Sequence, residues 1–95
     1  MEYIKSYQIN DELVFLLTEK SEGSIKGIIT FDENSEEQEH LYEVRLTWEG
    51  IVHIHMLRES EGNLGAEKNY VYVGEMDEMI AIMQTLKQLK DTLFN

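Results

Sequence analysis

The stretch YEVRLTWEGIVHIHM, residues 42–56, decides the fold, because it has the composition of two β-strands joined by a tight turn. Apolar and polar side chains alternate along both halves, a pattern typical of strands with one buried face. A three-residue turn over 48–50, with Gly50 in the left-handed conformation, would place Val44 opposite Ile54. One face of this hairpin is then uniformly apolar. Hydrophobic pairing favours that register, because a slip of one residue would exchange the faces of a whole strand.

The same register determines where the histidines lie. Arg45 is expected opposite His53, and Glu43 opposite His55, on the polar face of the hairpin. A His-x-His pair can chelate a metal ion, but it needs a third ligand, and Arg45 would repel a cation. His40 has the parity of the apolar face, so it is expected on the opposite side unless a bulge intervenes. The sequence therefore predicts solvated histidines and no metal site.

Five other segments define the remaining elements. Residues 3–9, 12–20 and 25–33 have strand-like composition bounded by turn residues, and residues 70–74 form a last short strand candidate. Residues 75–94 switch to a 3.6-residue period with a broad apolar face. This pattern predicts a helix, and its stripe of methionines, Met76, Met79 and Met83, is expected to lie in the core.

Strands followed by a helix, with short connections, predict an α+β fold. The expected architecture is a five- to six-stranded antiparallel meander sheet packed against one long C-terminal helix. The 95 residues suffice for a single domain, 1–95, with strands over 3–74 and the helix over 75–94. The face of the sheet away from the helix is expected to face water.

Composition excludes several classes of protein. The formal charge is −11, from 19 acidic and 8 basic residues, which disfavours direct binding of nucleic acid or of an anionic membrane. There is no cysteine, so disulfides and thiolate metal sites are excluded. No apolar run approaches the roughly 18 residues of a membrane span. The polar, acidic start of the chain is wrong for a signal peptide, and a cytoplasmic location is expected.

No motif for catalysis is visible. The serines lack the G-x-S-x-G elbow of a nucleophile, and the glycines of residues 61–68 lack the Lys-Ser/Thr of a phosphate loop. A general acid needs a carboxyl group in an apolar pocket, and almost every Asp and Glu has polar neighbours. The sequence therefore predicts no enzymatic activity and no bound cofactor.

Acidic and aromatic side chains are the candidate interface. These residues are Asp32, Glu33, Glu36, Glu37, Glu39, Trp48, Tyr70 and Tyr72. They predict a protein-binding module for a partner with a basic surface, in the form of a small acidic inhibitor or immunity-type protein acting on a target such as a nucleic-acid enzyme. One alternative is a small-ligand binder using the concave face of a curved sheet, and another is a purely structural homodimer. The plainest interpretation of the charge is solubility alone.

Overall fold

The computed structural model describes residues 2–57 and 75–93, which form an antiparallel sheet followed by a helix. The five strands are arranged in sequence order, each paired with the next. They are β1 (Lys5–Gln8), β2 (Val14–Lys20), β3 (Ser24–Thr30), β4 (Tyr42–Thr47) and β5 (Val52–Met56), and the helix is α1 (Met76–Leu93). The predicted α+β meander is confirmed. The strand predicted over 70–74 lies outside the described residues.

The hairpin of β4 and β5 has the predicted register. Val44 lies opposite Ile54, Arg45 opposite His53, and the remaining pairs follow in step. Residues 48–50 form the three-residue turn, and Gly50 has a φ of 95°, a conformation that favours glycine. The turn is closed by Thr47, whose backbone carbonyl accepts a hydrogen bond from Gly50 N at 2.9 Å.

The core lies between the inner face of the sheet and one side of α1. The strand residues buried in it are Leu13, Phe15, Leu17, Ile25, Ile29, Tyr42, Val44 and Leu46. From the helix come Ile82, Leu86 and Leu89, spaced so that they form one stripe along its axis. The Tyr42 hydroxyl donates to Glu78 at 3.2 Å and joins the start of the helix to β4.

The expectation that the methionines of the helix are core residues is wrong for two of the three. Met76 is 77% exposed and Met83 is 45% exposed, whereas Met79 is half-buried against the core. Met83 lies about 100° around the helix from Ile82, because successive residues are spaced by that angle. The apolar arc of the helix is broader than its contact with the sheet. Within 2–57 and 75–93, no helix combines the length and apolar character needed to cross a membrane.

The outer face of the sheet, which is the face away from the helix, is only partly solvated. Over β4 and β5 it carries the exposed side chains of Glu43, Arg45, His53 and His55, as predicted. Over β2 and β3 the expectation of a wet face is wrong, because outer-face side chains there are buried. These residues are Val14, Leu16, Ile28 and Thr30. Something other than the helix must therefore cover this half of the sheet.

Gly27 of β3 is required by a close approach within the core. A Cβ atom at this position would lie 2.5 Å from the Leu16 carbonyl oxygen and would also meet the ring of Phe15. A backbone oxygen cannot move independently of its strand, so a side chain at position 27 would collide with β2 as well as with the Phe15 ring.

Replacing Leu86 by alanine should lower the free energy of unfolding by about 2–5 kcal/mol, because it removes a fully buried side chain and leaves a cavity. Met83→Ala is the matched control on the same helix, and it should cost less than about 1 kcal/mol because its side chain is substantially exposed. Urea denaturation of both variants measures the difference. Equal losses would contradict the orientation of α1 described above.

Gly27→Ala should destabilise the protein by about 1–3 kcal/mol or more, as overpacking of a filled site does. Gly23→Ala is the control, since a Cβ there has no atom within 4 Å, and its effect should stay within about 0.5 kcal/mol. Thermal and urea unfolding of the pair test the close approach, which would be refuted if the two variants were equally stable.

Candidate functional site

The connection between β3 and β4, residues 31–41, folds back across the outer face of the sheet. Its Glu33 accepts a hydrogen bond from Ser6 Oγ at 2.5 Å, although Ser6 belongs to β1, two strands from the start of the connection. Ser6 lies opposite Leu16, whose side chain is buried on this outer face. The acidic segment is therefore not a free connection. It passes over β2 and forms part of the cover that the buried outer-face residues require.

Short-range hydrogen bonds give this segment a fixed shape. Asp32 N donates to Ser35 Oγ, and Ser35 N donates back to the Asp32 carbonyl, both at 3.2 Å. Glu39 N donates to the Glu36 carbonyl at 2.8 Å in the 3₁₀ turn over Glu37–Glu39, and the Glu39 carboxylate caps this turn by accepting from Glu36 N, also at 2.8 Å. The buried Thr30 hydroxyl donates to the Glu39 carbonyl at 3.3 Å. These bonds hold the backbone of the acidic segment in a defined shape, which a solvated loop would not have.

A cleft of about 950 Å³ lies between this segment and the sheet. Four carboxylates line it: Glu33, Glu36 and Glu37 from the segment, and Glu43 from β4. Among the residues described, none of these four carboxylates forms an ion pair. The cleft is therefore a concave surface with concentrated negative charge, an arrangement that attracts cations.

The rest of the cleft lining is less polar. Ile28 of β3 and Leu57 after β5 contribute apolar surface, and Tyr3 contributes an aromatic ring. Partial burial, and then the hydrogen bond to Glu33 and the charge of that carboxylate, raise the pKa of Tyr3 above its ordinary value. Tyr3 thus lies close to Glu33, the carboxylate that Ser6 anchors.

His40 lines the same cleft, and its buried imidazole has an unpaired nitrogen. Its side chain is only 4% exposed, and its Nε2 atom is buried with no hydrogen-bond partner. A buried polar atom without a partner costs roughly 1–3 kcal/mol. Most such atoms in folded proteins are paired, so this exception makes His40 a candidate for contact with a ligand group.

Simple alternation placed His40 on the helix side of the sheet, and the structure corrects this. Leu41 and Tyr42 both pack against the core, so the alternation of side chains is interrupted just before β4. The N–H of Leu41 bonds to the carbonyl of Ile29, the residue that Tyr42 faces in the register. Two residues thus oppose one, as in a β-bulge, and His40 lies with Ile28 on the outer side.

The five predicted acidic interface residues are all exposed, but they have different roles. Glu33, Glu36 and Glu37 line the cleft, whereas Asp32 and Glu39 mainly hold the segment in shape. Glu43 and His40, which were not among the interface candidates, complete the site. The spacing of charges along the sequence could not reveal them, because they enter the cleft through the register of β4 and through the bulge.

The predicted aromatic contributors do not join this site. Trp48 is 58% exposed, as the interpretation required, but it lies in the turn at the far end of β4. Four residues of β4 separate it from Glu43, the cleft residue of this strand, a distance of roughly 17 Å. Tyr70 and Tyr72 lie outside the described residues.

Both histidines of β5 are exposed, and neither lines the cleft, although His55 lies opposite the cleft residue Glu43. His53 and His55 lie opposite Arg45 and Glu43, as the register predicted. In the part of the chain that the structure describes, no three His, Asp or Glu side chains are grouped closely enough to hold a metal ion.

A second concave surface lies beside the helix, at the opposite end of β4 from the cleft. This groove, of about 680 Å³, is lined chiefly by apolar side chains, including Val52, Met79, Ile80 and Met83. Lys87 and Lys90 border it. It is the surface left where the apolar arc of the helix extends beyond the sheet.

Comparisons of the chain with models of known protein families, with curated proteins and with solved structures found no match.

Replacing His40 by leucine should change the free energy of unfolding by no more than about 1 kcal/mol, and stabilisation is the favoured direction. The reason is that leucine removes a buried polar atom that has no partner, which can be neutral or favourable. Val44→Ala, at a fully buried residue of the same strand region, is a control that should cost about 1–3 kcal/mol. Urea denaturation compares them, and a loss of several kcal/mol for His40→Leu would mean that its ring makes an essential contact.

Proposed function

We propose that the protein is a non-enzymatic binding module that contacts a basic surface of a protein partner through the acidic cleft. The observation that carries this proposal is the set of four carboxylates that line one cleft together with His40 and have no ion-pair partners among the described residues. A solubilising surface needs only exposed charge. A concave surface with concentrated negative charge and an unpartnered buried polar atom also provides the geometry of recognition.

The fixed shape of the segment supports binding in a second way. Association costs free energy for every side chain and loop that must be ordered, and a pre-ordered surface reduces that cost. The turn over Glu37–Glu39 and the anchors at Thr30 and Ser6 meet this part of the cost on folding. Complementary charge also accelerates association, an effect that salt screens over about 8–10 Å.

The partner class that fits best is a protein whose own function demands a basic groove, such as a nucleic-acid enzyme. A small acidic protein that occupies such a groove is an inhibitor of immunity type. The absence of cysteine from all 95 residues favours the cytoplasm as the site of action.

The two alternative functions, small-ligand binding and homodimer formation, would use other surfaces of the protein. The inner face of the central strands is filled by Ile82, Leu86 and Leu89, so a small ligand on that side would have to use the groove beside the helix. A homodimer would find its apolar surface in the exposed side chains of the same region, such as Met76 and Met83. Sedimentation measurements on the purified chain separate the homodimer from a monomeric binding module.

Reversing the charge of two cleft residues, as Glu37→Lys with Glu43→Lys, should abolish capture of a basic partner from the native cells. The matched control is Glu19→Lys with Glu22→Lys, in the hairpin of β2 and β3 at the far end of the sheet. Each reversal adds two charges, so both variants change the formal charge from −11 to −7. The control loses only the exposed Glu19–Lys26 ion pair, which contributes about 0–1 kcal/mol.

Partners retained by the wild type and by the control, but lost from the cleft variant, are identified by mass spectrometry. Their association rate should fall about tenfold or more from low to physiological salt, since the contact is electrostatically steered. If both double variants capture the same proteins as the wild type, the cleft is not the contact surface.

A further inference from the structure

Building on the proposed function, we propose that the acidic cleft is a receptor for one arginine side chain of the partner, with His40 Nε2 as its innermost hydrogen-bond acceptor. The proposal combines two independent observations. One is the set of carboxylates that line the cleft. The other is His40, which lines the same cleft, is more than nine-tenths buried and has no hydrogen-bond partner at Nε2.

The chemistry of His40 favours a donor as its ligand. We assign the neutral tautomer with its proton on Nδ1, in which Nε2 is an acceptor and calls for a ligand with an N–H or O–H group. An anionic ligand would be repelled by Glu36, Glu37 and Glu43, which line the cleft without basic partners among the residues described. A cationic nitrogen satisfies both requirements, because it donates hydrogen bonds and neutralises the carboxylates.

Guanidinium fits this site better than ammonium. It presents five N–H donors in a planar fork, so it can reach carboxylates on one side and the imidazole on another at the same time. It is weakly hydrated and packs on aromatic and apolar groups, which the cleft supplies through Tyr3, Ile28 and Leu57. An ammonium group is a compact, strongly hydrated charge that would lose more by leaving water.

Access to Nε2 requires a small adjustment of the cleft, because this atom is closed to water in the unliganded protein. Glu36 and Glu37 are exposed lining residues, and their side chains can rotate without moving the sheet. The backbone turn that carries them stays closed by the Glu39 hydrogen bond. Binding is therefore expected to move side chains of the cleft and to leave the strand register unchanged.

The experiment titrates the full, isotope-labelled chain with three small probes and follows its NMR spectrum. The probes are N-acetyl-arginine amide, N-acetyl-lysine amide and N-acetyl-citrulline amide, the last being a neutral analogue of arginine. The arginine probe should shift the imidazole nitrogens of His40 and the amides of residues 35–43 saturably. It should bind about tenfold more tightly than citrulline, as expected when a charge-assisted hydrogen bond is lost, and several-fold more tightly than lysine.

Two variants and their controls locate the effect. His40→Leu should weaken binding of the arginine probe about fivefold or more, whereas His53→Leu, on the same face but outside the cleft, should leave it unchanged. Glu43→Gln gives a second test that removes charge at an exposed position and does not depend on how the His40 variant folds. Its control is Glu19→Gln, and only the Glu43 variant should weaken binding.

The proposal is overturned if the arginine probe leaves the His40 ring signals unchanged, if lysine or citrulline binds as tightly, or if His40→Leu and Glu43→Gln bind like the wild type. If these probes fail while the charge-reversal variant still loses a basic partner, the proposed function stands and the arginine receptor falls. Conversely, the arginine probe could bind at the cleft although no protein partner is lost from the charge-reversal variant. That result would support the guanidinium site and contradict the proposed protein-binding function.

Discussion

The pairing of β4 with β5 is the constraint on which both faces of the molecule depend. Val44 opposite Ile54, with its apolar neighbours in step, directs one face of the hairpin towards the helix. The turn conformation of Gly50 suits the three-residue loop that this register requires. A shift of β5 by one position would turn His53 and His55 towards the helix in place of Val52 and Ile54, so the register fixes the inner and the outer face of the hairpin together.

The periodicity of apolar and polar residues was sufficient to predict the fold class, the strand order and the face on which the histidines of β5 lie. It was insufficient to predict which side of α1 packs against the sheet. The apolar side of the helix, which includes both Ile82 and Met83, is broader than the surface that contacts the sheet. Periodicity alone does not show which part of such a broad apolar side packs against the sheet. The close approach of Phe15 to Gly27 was equally hidden, because a glycine in a strand has several possible causes.

Only part of the candidate site could be predicted from the sequence. The charge density of the segment from Asp32 to Glu39 was plain in the sequence, but its path across the sheet depends on contacts between residues far apart, such as Glu33 with Ser6. His40 was assigned to the wrong face because the bulge at Leu41 leaves no local signal. Sites formed where an irregular backbone meets a regular sheet are the places where sequence periodicity fails, and they are also where functional side chains are commonly positioned.

The bond between Glu33 and Ser6 links the cleft to the rim of the sheet. β1 has only four residues and is the first strand in the order of the described sheet, so few backbone bonds hold it. Ser6 of β1 is hydrogen-bonded to Glu33, so the acidic segment adds a side-chain anchor to this strand. Occupancy of the cleft and the anchoring of β1 are therefore linked equilibria. A ligand that draws Glu33 away from Ser6 would loosen this short strand, whereas a ligand that leaves the bond in place would not.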